Sequence, residues 1–204
     1  MIQNDGAERT DQSILTGFGG DSGRVTLRRM TVDDQDEFTE LVRASADLFG
    51  PYMSLPTTPP DFHAFLGKFT DPLLAEGLVV CLRDTGAMAG NININSIIRG
   101  RAQTASLGYA AFAPTAGQGY MSEGLRLAMR YAFEELRLHR LEAQIQPGNQ
   151  ASLKLVQRHG FRSEGCSPEL LFIDGAWRDH ERWVITNAMA GMVPSEPHPT
   201  QPAR

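Results

Sequence analysis

The sequence predicts a mixed α/β (α+β) fold, with a mostly antiparallel central sheet flanked by helices. Three observations carry this. Short strand-like stretches, such as 78–82 (LVVCL) and 91–95 (NININ), are interleaved with stretches whose apolar residues recur at helical spacing. Two turn signals, Asp84-Thr85-Gly86 and Asp174-Gly175, each separate a pair of strand-like runs and read as hairpins. One segment runs from a strand through Pro114 and Gly117-Gln118-Gly119 straight into an amphipathic helix. Hairpins together with a strand-to-helix unit give an antiparallel sheet with helices packed on it.

In chain order, 25–30 (VTLRRM) reads as the first strand. Thr31 is placed as an N-cap, with Asp33 and Asp34 in the first turn where the helix dipole favours negative charge. Phe38, Leu41 and Val42 give that helix a buried stripe. Pro51 to Pro60 is an irregular stretch, and Phe62, Phe65, Leu66 and Phe69 then mark a second short helix. In the hairpin that follows, Ile92 and Ile94 alternate with asparagines, the pattern of a strand with one apolar face. The next strand is 106–112 (SLGYAAF), ended by Ala113-Pro114. A long helix runs from about Ser122 to Leu136, with Leu125, Met129, Phe133 and Leu136 on one face and an Arg130–Glu134 pair on the other. A strand at 141–146, a helix at 150–159 closed by Gly160, and two last strands around Asp174-Gly175 complete the order.

Residues 1–22 are polar and Gly-rich and read as a flexible leader, 23–190 as one domain, and 191–204 as a disordered tail. The 204 residues suit a single core. Apolar residues make up 41% and charged residues 21%, and no run is long enough to span a bilayer. The start lacks the basic and apolar regions of a secretory signal, so a cytoplasmic location with no membrane partner is expected. The net charge of −5 argues against direct nucleic-acid binding and suits a cationic substrate. Cys81 and Cys166 form no CxxC, and the five histidines show no ligand spacing, so neither a disulfide framework nor a metal is expected.

The chemistry is concentrated at 116–122 (AGQGYMS). Gly117 and Gly119 let backbone approach a ligand closely, and the first turn of the following helix points unpaired N–H groups outward at the positive end of its dipole. Such a loop holds a diphosphate without a lysine. It is neither GxGxxG nor a P-loop, since Ser122 stands where a third glycine would be and no lysine follows.

With its flanks, this segment resembles the GNAT superfamily, whose motif A reads Gln/Arg-x-x-Gly-x-Gly/Ala between a strand and a helix. Here Ala116, Gly117, Gln118, Gly119, Tyr120 and Met121 hold those places, with Ala116 for the usual Gln or Arg and Met121 for the small residue. Residues 147–165 (PGNQASLKLVQRHGFRSEG) resemble the family's Asn-x-x-Ser…Gly-Phe segment, and 170–185 (LLFIDGAWRDHERWVI) resemble its RimJ/RimL-type branch, which acetylates protein N-termini. The resemblance covers about 24–187 and implies the GNAT fold. It implies direct transfer of acetyl from acetyl-CoA to an amine, with no covalent enzyme intermediate.

It also implies roles for particular residues. The cofactor-binding set is Tyr109, Ala111, Phe112, Gly117, Gln118, Gly119, Tyr120, Met121, Ser122 and Asn149. Within it, the backbone of Tyr109 and Ala111 would pair with the pantetheine arm, and the amide of Ala111 or Phe112 would face the thioester oxygen. Ser152 resembles the acid that protonates the thiolate; as a local feature it is an ordinary first-turn serine, and Asn149 an ordinary helix cap. Glu142, in an otherwise apolar strand, is the leading base or else an exposed strand glutamate; Asp179 and His180 rank second. The RimL-like glutamate is replaced by Leu171. The implied acceptor is a protein N-terminal α-amine; a small amine, or a coenzyme-binding module without transfer activity, are the alternatives. A homodimer is left open.

Overall fold

The computed structural model describes residues 23–192, so the leader at 1–22 and residues 193–204 of the tail lie outside the described residues. Strand β1 (Val25–Arg29) leads through a 3₁₀ turn into α1 (Gln35–Ala44), a short α2 (Ala46–Phe49) and α3 (Pro59–Leu66). Then come β2 (Glu76–Leu82), β3 (Met88–Ile98) and β4 (Thr104–Ala111). Helix α4 (Tyr120–Arg130), β5 (Arg140–Ile145), α5 (Gln150–Arg158), β6 (Arg162–Ile173) and β7 (Ala176–Thr186) complete the chain.

The strands form one seven-stranded sheet in the order β1-β2-β3-β4-β5-β7-β6. Every neighbouring pair is antiparallel except β4 and β5, which are parallel. Apolar side chains fill both faces. Leu78, Val80, Ile92, Leu107 and Leu141 pack with α4 and α5 residues such as Leu125 and Val156. Val79, Cys81, Ala110 and Phe112 pack on the opposite face with Phe38, Val42 and Phe62. The continuous run in β2 follows from its central place under both layers, where neither face meets water.

Three expectations change in detail. Asn91 and Asn93 are not on a solvated face: both are buried, and the Asn91 amide donates to Asn93 Oδ1 at 3.4 Å. The alternation in NININ separates two covered faces. Asp34 does more than favour the dipole, because its carboxylate accepts from the Thr31 amide at 2.7 Å and from both Arg28 terminal nitrogens. Helix α4 begins at Tyr120, two residues before the expected start, and ends in a π-type turn, Tyr131–Glu135. Tyr131 opens that turn and is buried with its hydroxyl between Glu76 and Arg29, donating to the one and accepting from the other at 2.8 Å each.

The feature that matters for function is the β4–β5 pair. It is in register only at Thr104–Arg140, Ala105–Leu141 and Ser106–Glu142. Beyond that point β4 stays with β3 to Ala111, while β5 stays with β7 to Ile145. The two strands part, and a wedge opens in the sheet.

Candidate active site

The wedge is the inner wall of a cleft of ≈ 390 Å³. The Phe112 amide donates to the Ala89 carbonyl at 3.0 Å, so Phe112 and Ala89 form a hydrogen-bonded pair of the ladder. Antiparallel ladders alternate, so the backbone groups of Tyr109 and Ala111 point the other way, toward the parted β5. They form a strand edge inside the cleft. Phe112 takes no part in it: its amide is spent on Ala89, and its ring is fully buried against Phe38. Of the two amides the resemblance offered for the thioester oxygen, only that of Ala111 faces the cleft.

One end of the cleft is the glycine loop. Ala116, Gly117, Gly119, Tyr120, Met121 and Ser122 all line it. Gly119 caps α4 with φ 86° and Gly117 has φ 78°, left-handed values that L side chains adopt only under strain. Ser122 does not offer its amide, which donates to the Gly119 carbonyl at 3.0 Å; its hydroxyl bonds His159 Nε2 at 2.9 Å. Burial and the nearby Arg126 push the His159 pKa down, so this imidazole is neutral at pH 7. Gln118 is outside the lining, with its side-chain amide donating back to the Pro114 carbonyl at 3.1 Å. The Ala116 amide likewise donates to the Ala113 carbonyl at 3.3 Å, so the amides that remain for a diphosphate are those from Gly117 to Met121. Met121 does not crowd them: a Cβ on Gly90 would collide with its Sδ, so the side chain seats over β3 at a residue that has none.

Two cations at this end escaped the motif reading. Arg158, at the end of α5 beside His159, lines the cleft. Arg24 braces the loop from outside: it donates to the Gln118 carbonyl at 3.1 Å, lies 4.6 Å from the Tyr120 ring centroid, and pairs with Glu123. Neither belongs to a local pattern around the glycines, so only the fold shows them.

At the middle of the cleft, Tyr109 Oη and Ser152 Oγ are 2.6 Å apart. Burial pushes the Tyr109 phenol up to about 12, with the Ser152 bond opposing, so it stays protonated at neutral pH. Asn149 caps α5, its Oδ1 accepting from the Ser152 amide at 3.1 Å, and also lines the cleft. The cap uses only the oxygen, which leaves the amide nitrogen for a ligand.

The far end is formed by Leu48, Phe49, Tyr52, Met53, Gln144, Gln146 and His180. Tyr52 donates to the Gly148 carbonyl at 3.1 Å, which straps the 50–53 segment to the β5–α5 loop. Glu142 is outside the lining. Arg140 holds its carboxylate at 2.7 Å, and the same guanidinium reaches Glu164 at 2.6 Å. A carboxylate so paired and so placed is a poor base for this cleft. Among the described residues no group of His, Cys, Asp and Glu is arranged to hold a metal, and no helix is long and apolar enough to cross a membrane.

A sheet split between parallel β4 and β5, with a glycine-capped helix at the mouth of the split, is the architecture of the GNAT acetyltransferases. RimJ from Mycobacterium smegmatis, solved in complex with CoA-disulfide, superposes with a TM-score of 0.74 at 23% identity, over 84% of this chain and 86% of that one. The ribosomal-protein-S5-alanine acetyltransferase of Vibrio fischeri superposes with a TM-score of 0.72 at 23% identity, over 81% and 94%. Residues 24–162 match the acetyltransferase (GNAT) domain, and the chain belongs to that family. Its curated relatives include the probable N-acetyltransferase YjcK of Bacillus subtilis, 40% identical over 100 residues, which are 49% of this chain and 55% of the relative. The [ribosomal protein uS5]-alanine N-acetyltransferase of Escherichia coli is 36% identical over 103 residues, 50% of this chain and 53% of the relative. The matches thus span about half the length of these two relatives.

Proposed function

We propose that the chain transfers acetyl from acetyl-CoA to the α-amine of a protein N-terminus. The observation that carries this is the cleft itself, which runs from a glycine-loop cradle, along the strand edge of Tyr109 and Ala111, to an uncharged pocket around Tyr52 and Met53. A diphosphate fits the loop end, an extended amide-bearing arm fits the strand edge, and the thioester falls beside Ser152. The coenzyme complex of the M. smegmatis RimJ supports the choice of ligand.

The charge of the lining supports the choice of acceptor. Among the described residues, the lining holds no aspartate or glutamate; its one permanent charge is Arg158, at the loop end. A polyamine buried here would leave its distal ammonium without a counter-ion, which is costly. A peptide N-terminus carries one ammonium followed by neutral amides, and it suits a pocket of Tyr, Met and Gln.

The test is free-thiol release from acetyl-CoA with a panel of N-terminal peptides, small monoamines and spermidine. Turnover should be fastest with the peptides and near background with spermidine. Preference for spermidine would overturn the acceptor, and coenzyme binding without any thiol release would overturn transfer itself.

A further inference from the structure

A buried imidazole lines the acceptor end of the cleft. His180 stands on β7 with 2% of its surface exposed, and it lines the cleft beside Gln144, Gln146 and Tyr52. Its Nδ1 is 2.9 Å from the Arg178 carbonyl oxygen. A carbonyl oxygen only accepts, so Nδ1 carries the hydrogen, and in the neutral ring Nε2 then carries the lone pair. The backbone of its own strand thus fixes the tautomer that leaves Nε2 as acceptor.

The rest of the lining narrows the choice. Among the described residues it offers no carboxylate; Arg158 is permanently protonated. Tyr109 holds its proton to about 12, and Ser152 is no base at neutral pH. Of the two other groups the sequence ranked, Glu142 is held by Arg140 outside the lining, and Asp179 accepts from the Glu169 amide at 2.9 Å. Among the described residues the His180 imidazole is thus the one lining side chain that offers a basic lone pair to an ammonium.

We infer that His180 is the general base of this acetyl transfer, taking the acceptor's proton on Nε2; this rests on the reading of the cleft as an acetyl-CoA site. The acceptor ammonium gives one proton to His180 Nε2, which passes it to solvent. The freed nitrogen pair attacks the thioester carbonyl carbon, and a C–N bond forms. The C–S bond then breaks, and the departing thiolate takes the Ser152 hydroxyl proton. The second proton shed by the nitrogen replaces that one. The products are the amide, the free thiol and one proton in solvent.

Asparagine separates this role from a structural one. In His180→Asn the side-chain amide stands where Nδ1 stood and can still donate to the Arg178 carbonyl, but nothing basic remains. With acetyl-CoA and a peptide acceptor, His180→Asn should lose at least about 100-fold in kcat/KM, with acetyl-CoA affinity by calorimetry within about twofold of wild type. In His180→Ala, added imidazole should restore part of the lost rate, a response that a lost hydrogen bond would not give. His180→Asn within a few-fold of wild type, or no response of His180→Ala to imidazole, overturns the assignment while wild-type turnover keeps the transfer reading. A wild-type protein that releases no thiol with any amine sinks the transfer reading and this base together.

Discussion

The two ends of the cleft are built from different materials. The loop end is backbone: the amides from Gly117 to Met121, two left-handed glycines and the start of one helix. The acceptor end is side chain, gathered from α2 and the turn after it, from β5 and from β7. Backbone recognition is written in a few adjacent residues, because left-handed φ and missing Cβ atoms leave a local trace. Side-chain recognition depends on which strands become neighbours, and adjacent residues carry little trace of that.

The largest effect expected on this contrast is Gly119→Glu. At φ 86° any Cβ is strained, and this one would stand 3.2 Å from Arg24 Nη2, the group that braces the loop. A carboxylate would also face the diphosphate at close range. Acetyl-CoA affinity, read by calorimetry, should fall at least about 100-fold while the thermal midpoint stays close to wild type. Gly119→Ala adds strain without charge and should cost about tenfold or less. Equal affinity in Gly119→Glu and wild type would show that the phosphates sit elsewhere.

Next comes the junction, where the proposed reaction has Ser152, bonded to Tyr109, protonate the leaving group. A thiol is acidic enough to leave with little help, its pKa being about 8.5 in a cysteine. Ser152→Ala should therefore lower kcat by about 10- to 100-fold, short of the usual upper range for acid catalysis. Tyr109→Phe keeps the serine hydroxyl and should cost about three- to tenfold. Single-turnover rates check both, and a Tyr109→Phe loss larger than that of Ser152→Ala would make the phenol the proton donor instead.

The same contrast explains what was legible in the sequence. The strand and helix order, the hairpins at Asp84-Thr85-Gly86 and Asp174-Gly175, and the mostly antiparallel sheet all follow from local pattern, and the structure bears them out. Gly117, Gly119, Tyr109, Ala111, Asn149 and Ser152 stand together on the cleft; local pattern marked the two glycines, and the family resemblance marked the other four. The misreadings are all questions of facing. Glu142 and Gln144 are two residues apart on one strand, yet only Gln144 lines the cleft, and the glutamate is held by Arg140 and by the Gln144 amide. Phe112 continues the β4 pattern, but its amide points to β3 and its ring to the core. His180 ranked only second among the candidate bases, because nothing local shows that the β5–β7 pairing, which runs to Ile145–Glu181, brings it beside the wedge. Arg24 lies 95 residues before Gly119 in the chain (119 − 24), and nothing local joins them.

The smallest expected effect is also the sharpest test of the division between the two ends. Tyr52 contributes a ring to the acceptor pocket and a hydroxyl that holds its own segment to Gly148. If the ends are independent, Tyr52→Ala should raise the acceptor KM about tenfold, near 1.4 kcal/mol, and leave acetyl-CoA affinity within twofold. Tyr52→Phe removes only the strap, a bond worth about 1 kcal/mol at most when exposed, and should raise KM by about fivefold or less. A comparable loss of coenzyme affinity in either variant would contradict the division, because Gly148 adjoins Asn149 and the strap would then be holding the coenzyme contact in place as well as the acceptor wall.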